Sequence, residues 1–158
     1  MKIKTGIGQD SHAFEDESGK ALILAGVTFE YDKGLRGNSD ADVVLHSLTN
    51  AISCITGRNI LGKIADELCQ QGVTDSREYL QCALNDLSGW QIDHIAISLE
   101  CLEPKISPKI KKMKDSIAKQ CNISANDVGI TATTGEGLTA FGRGQGIQAL
   151  TIITVSKA

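Results

Sequence analysis

The segment Ser39-Asp-Ala-Asp-Val-Val-Leu-His46 gives the first firm indication of how this chain folds. Ser39 to Asp42 have the spacing of a capping box, although Asp stands at the fourth place, where Glu or Gln is usual. Apolar residues then recur at the spacing of one helical face, at Val44, Leu48, Ala51 and Ile55. Gly57 follows, and glycine commonly ends a helix. The segment therefore predicts a helix that begins at Ser39 and ends near Gly57.

Strands and further helices are predicted on both sides of this helix. Five stretches have strand patterns: residues 2–14, where the strand runs into a loop, 21–25, 92–101, 128–133 and 147–155. Two more helices are predicted, one from Asp75 to Gly89 and one that begins with the Ser107-Pro108 cap. This mixture indicates a single domain, residues 1–158, in which a helix layer covers one sheet.

The composition excludes several classes of protein. Of the 158 residues, 41% are hydrophobic and 22% are charged, as in an ordinary globular domain and unlike a disordered chain or a coiled coil. The formal net charge of −3 and the low aromatic content of 4% argue against nucleic acid as a partner.

The sequence also predicts a cellular compartment. The N-terminal residues lack the apolar core of a signal peptide, and no apolar run reaches the roughly 18–20 residues that cross a bilayer, so no membrane partner is expected. The five cysteines are an odd number without a C-x-x-C pair, which favours buried free thiols over disulfides. We therefore expect a protein of the reducing cytoplasm.

Three side chains form a candidate metal site. Asp10 and His12 are two apart and share one face of an extended strand, and His46 lies on the predicted helix, on the same face as Asp42. Zinc accepts imidazole nitrogen and carboxylate oxygen, and three protein ligands leave a fourth position for substrate. On spacing alone the alternative stays open, because Asp-x-His triplets arise by chance and a helical histidine is often a core or surface residue. The third histidine, His94, is assigned a structural role.

Two further stretches have residues that suit a phosphate. Thr133-Thr-Gly-Glu136 ends a predicted strand and offers hydroxyls and a carboxylate to phosphate and a divalent cation. Gly142-Arg-Gly-Gln-Gly146 lacks both the G-x-G-x-x-G pattern and the ending of a P-loop. We therefore interpret its glycines as a tight turn and keep Arg143 as an anion-binding or packing residue.

Several motifs occur together in one order along nearly the whole chain. The most specific are Gly8-Gln-Asp-Ser-His-Ala-Phe14 and the S-D-x-D-V-x-L-H block at residues 39–46. The others are Leu24-Ala-Gly-Val27, Gly34-Leu35, Asp75-Ser-Arg77, Pro104-Lys105, Ala132-Thr-Thr134 and Gly142-Arg-Gly144. Together they resemble the 2-C-methyl-D-erythritol 2,4-cyclodiphosphate synthase family of the non-mevalonate isoprenoid pathway.

The resemblance implies a fold, an assembly and a reaction. The fold would be α+β, an α/β sandwich with a mixed sheet on one side and helices on the other, in a cytoplasmic bacterial homotrimer with active sites at subunit interfaces. Zn²⁺ would bind Asp10, His12 and His46, and Glu136 would help to hold Mg²⁺ or Mn²⁺ on the diphosphate. The 2-phosphate of a cytidine-diphosphate substrate would attack the β-phosphorus, release CMP and close a cyclic diphosphate. No general base is needed, because the attacking phosphate is already anionic.

The resemblance also assigns residues to the substrate. Thr134 and Asn38 are the expected catalytic residues, the first on the phosphates and the second at a position where the family usually has His. Arg143 would lie near the trimer axis. The other expected substrate contacts are Asp10, Ser11, His12, Ser39, Ile60, Leu61, Gly62, Cys101, Lys105, Ile106, Ser107, Ala132, Thr133, Gly135, Glu136 and Ala140.

The chain departs from the family in the loops that would hold substrate. Ile60 stands in place of an Asp, Ala65-Asp-Glu-Leu-Cys69 in place of F-P-D-T-D, Gly135 in place of a Thr and Gln145 in place of a Glu. Because the metal ligands remain, we expect an active enzyme with altered pocket contacts. The alternatives are a non-enzymatic trimer that senses a nucleotide or isoprenoid diphosphate, and a metal-dependent phosphohydrolase.

Overall fold

Six strands and four helices make up the chain in the computed structural model, which describes residues 1–158. In chain order they are β1 (Lys2–Ala13), β2 (Leu22–Leu24), β3 (Val27–Phe29), α1 (Val43–Thr56), α2 (Lys63–Gln70), α3 (Ser76–Asp86), β4 (Gln91–Glu100), α4 (Ile110–Cys121), β5 (Val128–Thr133) and β6 (Gly146–Lys157). All five predicted strands and all three predicted helices are present. The sequence prediction missed β3, which has only three residues, and α2, whose N-cap is a glycine without a capping side chain.

The main sheet has the strand order β1-β6-β4-β5, and β2 and β3 form a separate hairpin. Strand β6 is antiparallel to both β1 and β4, whereas β4 and β5 are parallel, so the expected mixed sheet is confirmed. The C-terminal ends of β1, β4 and β5 therefore lie at the same end of the sheet.

One row of paired residues runs across the whole sheet near this end. Asp10 on β1 pairs with Ala149 on β6, Ala149 pairs with Leu99 on β4, and Leu99 pairs with Ala132 on β5. Three strand spacings of about 4.8 Å place Asp10 and Ala132 roughly 14 Å apart at opposite edges of the sheet.

Helix α1 begins three residues later than the capping-box spacing predicts. Its N-cap is Asp42, whose Oδ1 accepts a hydrogen bond from the N–H of Leu45 at 3.0 Å. The same carboxylate accepts from the N–H groups of Ala25 at 2.9 Å and Gly26 at 2.7 Å, which ties the β2–β3 hairpin to the helix. Ser39 instead accepts from the N–H of Ala41, as in a turn, so its assignment as the cap is wrong.

The other two predicted helices differ in how well their starts were anticipated. Helix α3 begins after Asp75, close to the predicted start, and the Asp75 side chain caps it by accepting from the N–H of Arg77. Ser107 does not cap α4, because residues 107–109 form a 3-10 turn and the α-helix begins at Ile110 without a side-chain cap. The predicted apolar face of α4 is confirmed, since Met113 and Ile117 are fully buried.

Glycines set the distance between β1 and α1. A methyl group built on Gly6 or Gly8 would overlap the backbone of α1 at Ser47 or Ala51, so only glycine allows this approach. Ten of the fourteen residues of α1 are buried as a result. Strand β1 and helix α1 carry the three candidate metal ligands, and this contact positions them.

The sheet face opposite α1 has no helix over it and is apolar. Ile3, Ile7, Leu150 and Ile152 are exposed there, and Ile7 keeps 60% of its surface accessible. Such a patch is unusual for a protein that stays a single chain. No helix is both long and apolar enough to span a membrane.

The five cysteines are all unpaired, as predicted. Cys101 and Cys121 are buried, but Cys54 is exposed and Cys69 and Cys82 are half-buried, so the expectation of buried thiols holds for only two of the five.

Candidate metal centre and substrate pocket

Asp10, His12 and His46 come together at the C-terminal end of β1. Asp10 Oδ2 lies 3.0 Å from His12 Nε2 and 3.1 Å from His46 Nδ1, and the two histidine nitrogens are 3.4 Å apart. Donors about 2.0–2.1 Å from a tetrahedral zinc ion lie roughly 3.3–3.4 Å from one another, so this trio fits such an ion. The structure therefore brings the three predicted ligands into one cluster that can hold a divalent metal.

The charges of the cluster reinforce one another. Burial opposes ionisation of Asp10, but hydrogen bonds and charge attraction from His12 and His46 outweigh it and lower the pKa of Asp10 to about 2. The hydrogen bond to Asp10 raises the pKa of His12 against the opposing effects of burial and of the Lys20 ammonium group. A carboxylate that stays ionised is what a cation requires from this position.

A pocket of about 310 Å³ opens above the cluster. Seven of the predicted site residues line it: Asp10, His12, Asn38, Ser39, His46, Leu61 and Gly62. Its other lining residues, which the sequence prediction did not include, are Gly37, Asn50, Ala65, Asp66, Cys69 and Tyr79. Most of these stand on α2 or in the loop before α1, and those on α2 belong to the stretch that replaces the family's F-P-D-T-D.

Two predicted substrate contacts beside this pocket need correction. Ile60 is fully buried in the hydrophobic core, so its side chain is not available to a ligand. Ser11 follows Asp10 on β1, and because successive strand residues alternate, its side chain lies on the opposite face of the sheet from Asp10 and His12. Neither residue lines the pocket.

The loop before α1 is held by two side chains that the sequence prediction overlooked. The ammonium group of Lys20 donates to the carbonyls of Gly37 at 2.9 Å and Ser39 at 3.0 Å. The Cys69 thiol donates to the carbonyl of Asn38 at 3.4 Å. All three carbonyls of residues 37–39 are thus engaged away from any ligand.

The remaining predicted site residues form a second group at the opposite edge of the sheet. They lie after β4 or at and after the end of β5, and they comprise Cys101, Lys105, Ile106, Ser107, Ala132, Thr133, Thr134, Gly135, Glu136, Ala140 and Arg143. The N–H of Cys101 donates to the Thr133 carbonyl at 2.9 Å, and the Thr139 hydroxyl bonds the Glu100 carboxylate, so the two loops are joined. The structure does not bring this group to Asp10, His12 and His46 within one chain.

Exposure differs among the members of this second group. Lys105, Ser107 and Glu136 present exposed side chains. Cys101 and Ile106 are each only 4% exposed, so their side chains are buried, and their assignment to the substrate stays a prediction. Arg143 is exposed and donates to the Gly137 carbonyl at 3.4 Å.

The glycines of residues 142–146 form close turns, as predicted. A methyl group on Gly142 would meet the backbone of Gly135, and one on Gly146 would overlap that of His12. His94 lies exposed on β4, beside a register irregularity, and belongs to no metal cluster; its structural role stays a prediction.

Comparison with known proteins agrees with this geometry. Residues 3–156 match the model of the YgbB family. A 2-C-methyl-D-erythritol 2,4-cyclodiphosphate synthase from Chlamydia caviae is 50% identical over 157 residues, which are 98% of this chain and 89% of that protein.

Solved structures extend the comparison. The bifunctional IspDF from Campylobacter jejuni superposes with a TM-score of 0.90 at 30% identity; the match covers 99% of this chain but 43% of that longer protein. A 2C-methyl-D-erythritol-2,4-cyclodiphosphate synthase in its CDP-bound form has a TM-score of 0.81 at 27% identity, covering 97% of this chain and 100% of that one. The chain therefore belongs to the YgbB family, the family of the 2-C-methyl-D-erythritol 2,4-cyclodiphosphate synthases.

Proposed function

We propose that this chain converts 4-diphosphocytidyl-2-C-methyl-D-erythritol 2-phosphate into 2-C-methyl-D-erythritol 2,4-cyclodiphosphate and CMP. An oxygen of the 2-phosphate forms a bond to the β-phosphorus while the bond from that phosphorus to the bridging oxygen breaks. CMP leaves with the electron pair, and no proton has to be removed from the attacking oxygen. The cluster of Asp10, His12 and His46 beneath a pocket, in a chain 50% identical to a named synthase, carries the proposal.

The donor set of the cluster suits zinc, and Glu136 is the proposed ligand of a second ion, Mg²⁺ or Mn²⁺. When bound, these cations would neutralise the negative charges of the two phosphates, which otherwise repel each other. The chain's residues do the positioning. The backbone N–H groups of Asn38 and Ser39 have no acceptor within the chain and stand free for a phosphate at the pocket. Asn38 also offers a side-chain amide donor there.

The separation of the two residue groups supports an active site shared between subunits. We call β1 and α1 with the three metal ligands the metal edge, and residues 101–107 and 134–145 the loop edge. Within one chain Asp10 and Ala132, which lie in one row across the sheet, are roughly 14 Å apart. In the proposed homotrimer, the metal edge of one subunit faces the loop edge of the next, and subunit contacts cover the apolar sheet face around Ile7 and Ile152.

In this arrangement Lys105 and Ala132-Thr133 would border the cytidine, and Thr134 would contact the phosphates. We place the reaction in the cytoplasm, where the five unpaired thiols stay reduced.

The direct test is to incubate the zinc-loaded protein with the cytidine-diphosphate substrate and Mg²⁺. We expect release of CMP together with the cyclic product. A folded, zinc-loaded protein that releases no CMP would contradict the proposal, and binding without turnover would favour the sensor. CMP with an uncyclised product would identify a phosphohydrolase.

Subunit complementation tests the shared site. One chain carries His46→Ala at the metal edge, and the other carries Glu136→Gln at the loop edge. Each alone should be nearly inactive, but every mixed trimer regains one intact site in three, so equal co-expression should restore roughly a quarter of wild-type activity. Mixtures no more active than their components would show that each site lies within one chain.

A further inference from the structure

The two histidines of the metal centre are oriented from behind by different means. His12 Nδ1 donates to the backbone carbonyl of Arg36 at 2.8 Å, and because a carbonyl only accepts, this nitrogen carries the proton. His46 has no such carbonyl. Its Nε2 lies 2.8 Å from the hydroxyl of Ser76, a fully buried residue at the start of α3.

The Ser76 side chain is held in turn by Asp40. The hydroxyl of Ser76 bonds Asp40 Oδ1, and the backbone N–H of Ser76 donates to Asp40 Oδ2 at 3.0 Å. Asp40 is itself fixed, since its Oδ1 accepts from the N–H of Asp42 at 3.1 Å and its own N–H donates to the Thr74 carbonyl at 2.9 Å. These contacts join the loop before α1 to the start of α3.

Donor and acceptor counting decides where the protons lie. An ionised carboxylate accepts only, and a serine hydroxyl has a single proton to donate. Ser76 therefore donates to Asp40, and its oxygen must accept from His46, so His46 Nε2 carries a proton. Without metal, Nδ1 can also carry a proton and donate to Asp10 Oδ2 at 3.1 Å. A bound metal ion would take the place of that proton, and Nδ1 also lies 3.4 Å from His12 Nε2.

We propose that Ser76 and Asp40 are positioning residues that hold His46 in the Nε2–H tautomer and so present Nδ1 to the metal. Neither residue lines the pocket, so their effect passes through His46 and not through substrate contact. The inference rests on the metal centre proposed above. Partners behind a ligating histidine commonly change metal affinity by 10–100-fold when they are removed.

The first test measures the Kd of Zn²⁺ for the full chain by competition with a chromophoric chelator. Ser76→Ala should weaken binding by about 10–100-fold. The matched control is Ser47→Ala on α1, which also removes a fully buried hydroxyl; that hydroxyl bonds only the Val44 carbonyl and Thr151. The control should bind Zn²⁺ within about twofold of wild type, because His46 keeps its partner.

The second test reads the tautomer without metal. Heteronuclear NMR of the ring nitrogens in the zinc-free wild-type chain, at about pH 8 where free imidazole is neutral, should show His46 protonated at Nε2. Asp40→Asn should shift the population toward Nδ1–H, since an amide NH₂ can donate to Ser76 and free its proton for His46 Nε2. A wild-type His46 that carries a proton at Nδ1 and none at Nε2 would overturn the proposal even if every variant failed to fold.

The outcomes separate this inference from the metal centre itself. If His46→Ala loses Zn²⁺ while Ser76→Ala binds it like wild type, the positioning role is wrong and the metal centre stands. If both bind Zn²⁺ like wild type, the metal centre is wrong as well.

Discussion

At the metal edge, both histidine ligands are anchored from behind: His12 by the Arg36 carbonyl and His46 by buried Ser76. At the loop edge, Lys105 and Glu136 are exposed and no hydrogen bond or ion pair fixes their side chains. The contrast indicates that one chain suffices to prepare the metal centre, whereas in the proposed trimer the loop edge would gain its surroundings from another subunit. Preorganised ligands lose little entropy on binding, so zinc affinity should depend on the metal edge alone.

The strongest challenge to this contrast is removal of one ligand. His46→Ala should abolish stoichiometric zinc binding and lower activity by about a thousandfold or more, because two remaining donors hold zinc poorly. Glu136→Gln at the loop edge should lose activity but keep its zinc. Metal analysis of both purified variants checks this, and equal zinc contents would contradict the assignment.

The close approach of β1 and α1 offers the next largest effect. Gly8→Ala forces a methyl group into the backbone of α1, so the free energy of unfolding should fall by about 1–3 kcal/mol. Zinc should also bind more weakly, since His46 is pushed away from Asp10. At Gly129 on β5 an added methyl group meets only ordinary contacts, so Gly129→Ala should change stability by less than about 1 kcal/mol. Denaturant unfolding measures both, and equal losses would show that the glycine approach is not special.

Loss of the Lys20 ammonium tests the loop before α1. Lys20→Met removes the two hydrogen bonds to the carbonyls of Gly37 and Ser39, which frees the peptide groups around Asn38. We expect KM to rise by about three- to tenfold with little change in zinc content, because charge-assisted hydrogen bonds are worth about 1.5–3 kcal/mol and water replaces part of this. The control is Lys33→Met, because the Lys33 side chain in the same loop region makes no hydrogen bond or ion pair. An unchanged KM in Lys20→Met would remove the positioning role.

The smallest predicted effect concerns the reactivity of two buried thiols, one of which, Cys101, stands at the start of the loop edge. Burial raises the pKa of the Cys101 thiol to about 12, with a further contribution from Glu103, and burial raises that of Cys121 to about 12. Because the thiolate is the reactive form, both should stay unmodified at about pH 8 while exposed Cys54 reacts. Mass spectrometry after brief alkylation of the native protein reads the sites. Rapid labelling of Cys101 would contradict this prediction, because it would show that the buried start of the loop edge becomes exposed to solvent.

Local patterns predicted most of the fold. The apolar spacing of α1 and α4 and the alternation in β4 are properties of short segments, and the structure confirms them. The prediction of the α1 cap was wrong because groups distant in sequence determine which side chain caps the helix. Asp42 caps α1 in place of Ser39 because the turn at Ala25 and Gly26 needs the same carboxylate, a contact invisible in the spacing.

The candidate site was predictable only where motif and geometry coincide. Strand periodicity makes Asp10 and His12 candidates for one site, and the family resemblance of the motifs at residues 8–14 and 39–46 implies the full ligand set with His46. Ile60 was predicted to contact substrate because it matches a family position, but such a match carries no information on burial. The isoleucine side chain at this position is buried in the core. Cys69 and Ser76 lie in stretches that were compared with the family, but their roles and that of Lys20 were not predictable, since each acts through residues at least 17 positions away in sequence.

The pairing of β1 has a consequence for the order of events during synthesis. This strand carries Asp10 and His12, yet its only neighbour in the sheet is β6, which the ribosome adds last among the strands. Until β6 emerges, the first strand has no partner, and pairings between such distant segments form slowly. A nascent chain that ends before Gly146 would therefore expose β1 as an unpaired strand that carries two metal ligands. The metal edge would then be the last part of the sheet to form, and chaperones could bind it until then.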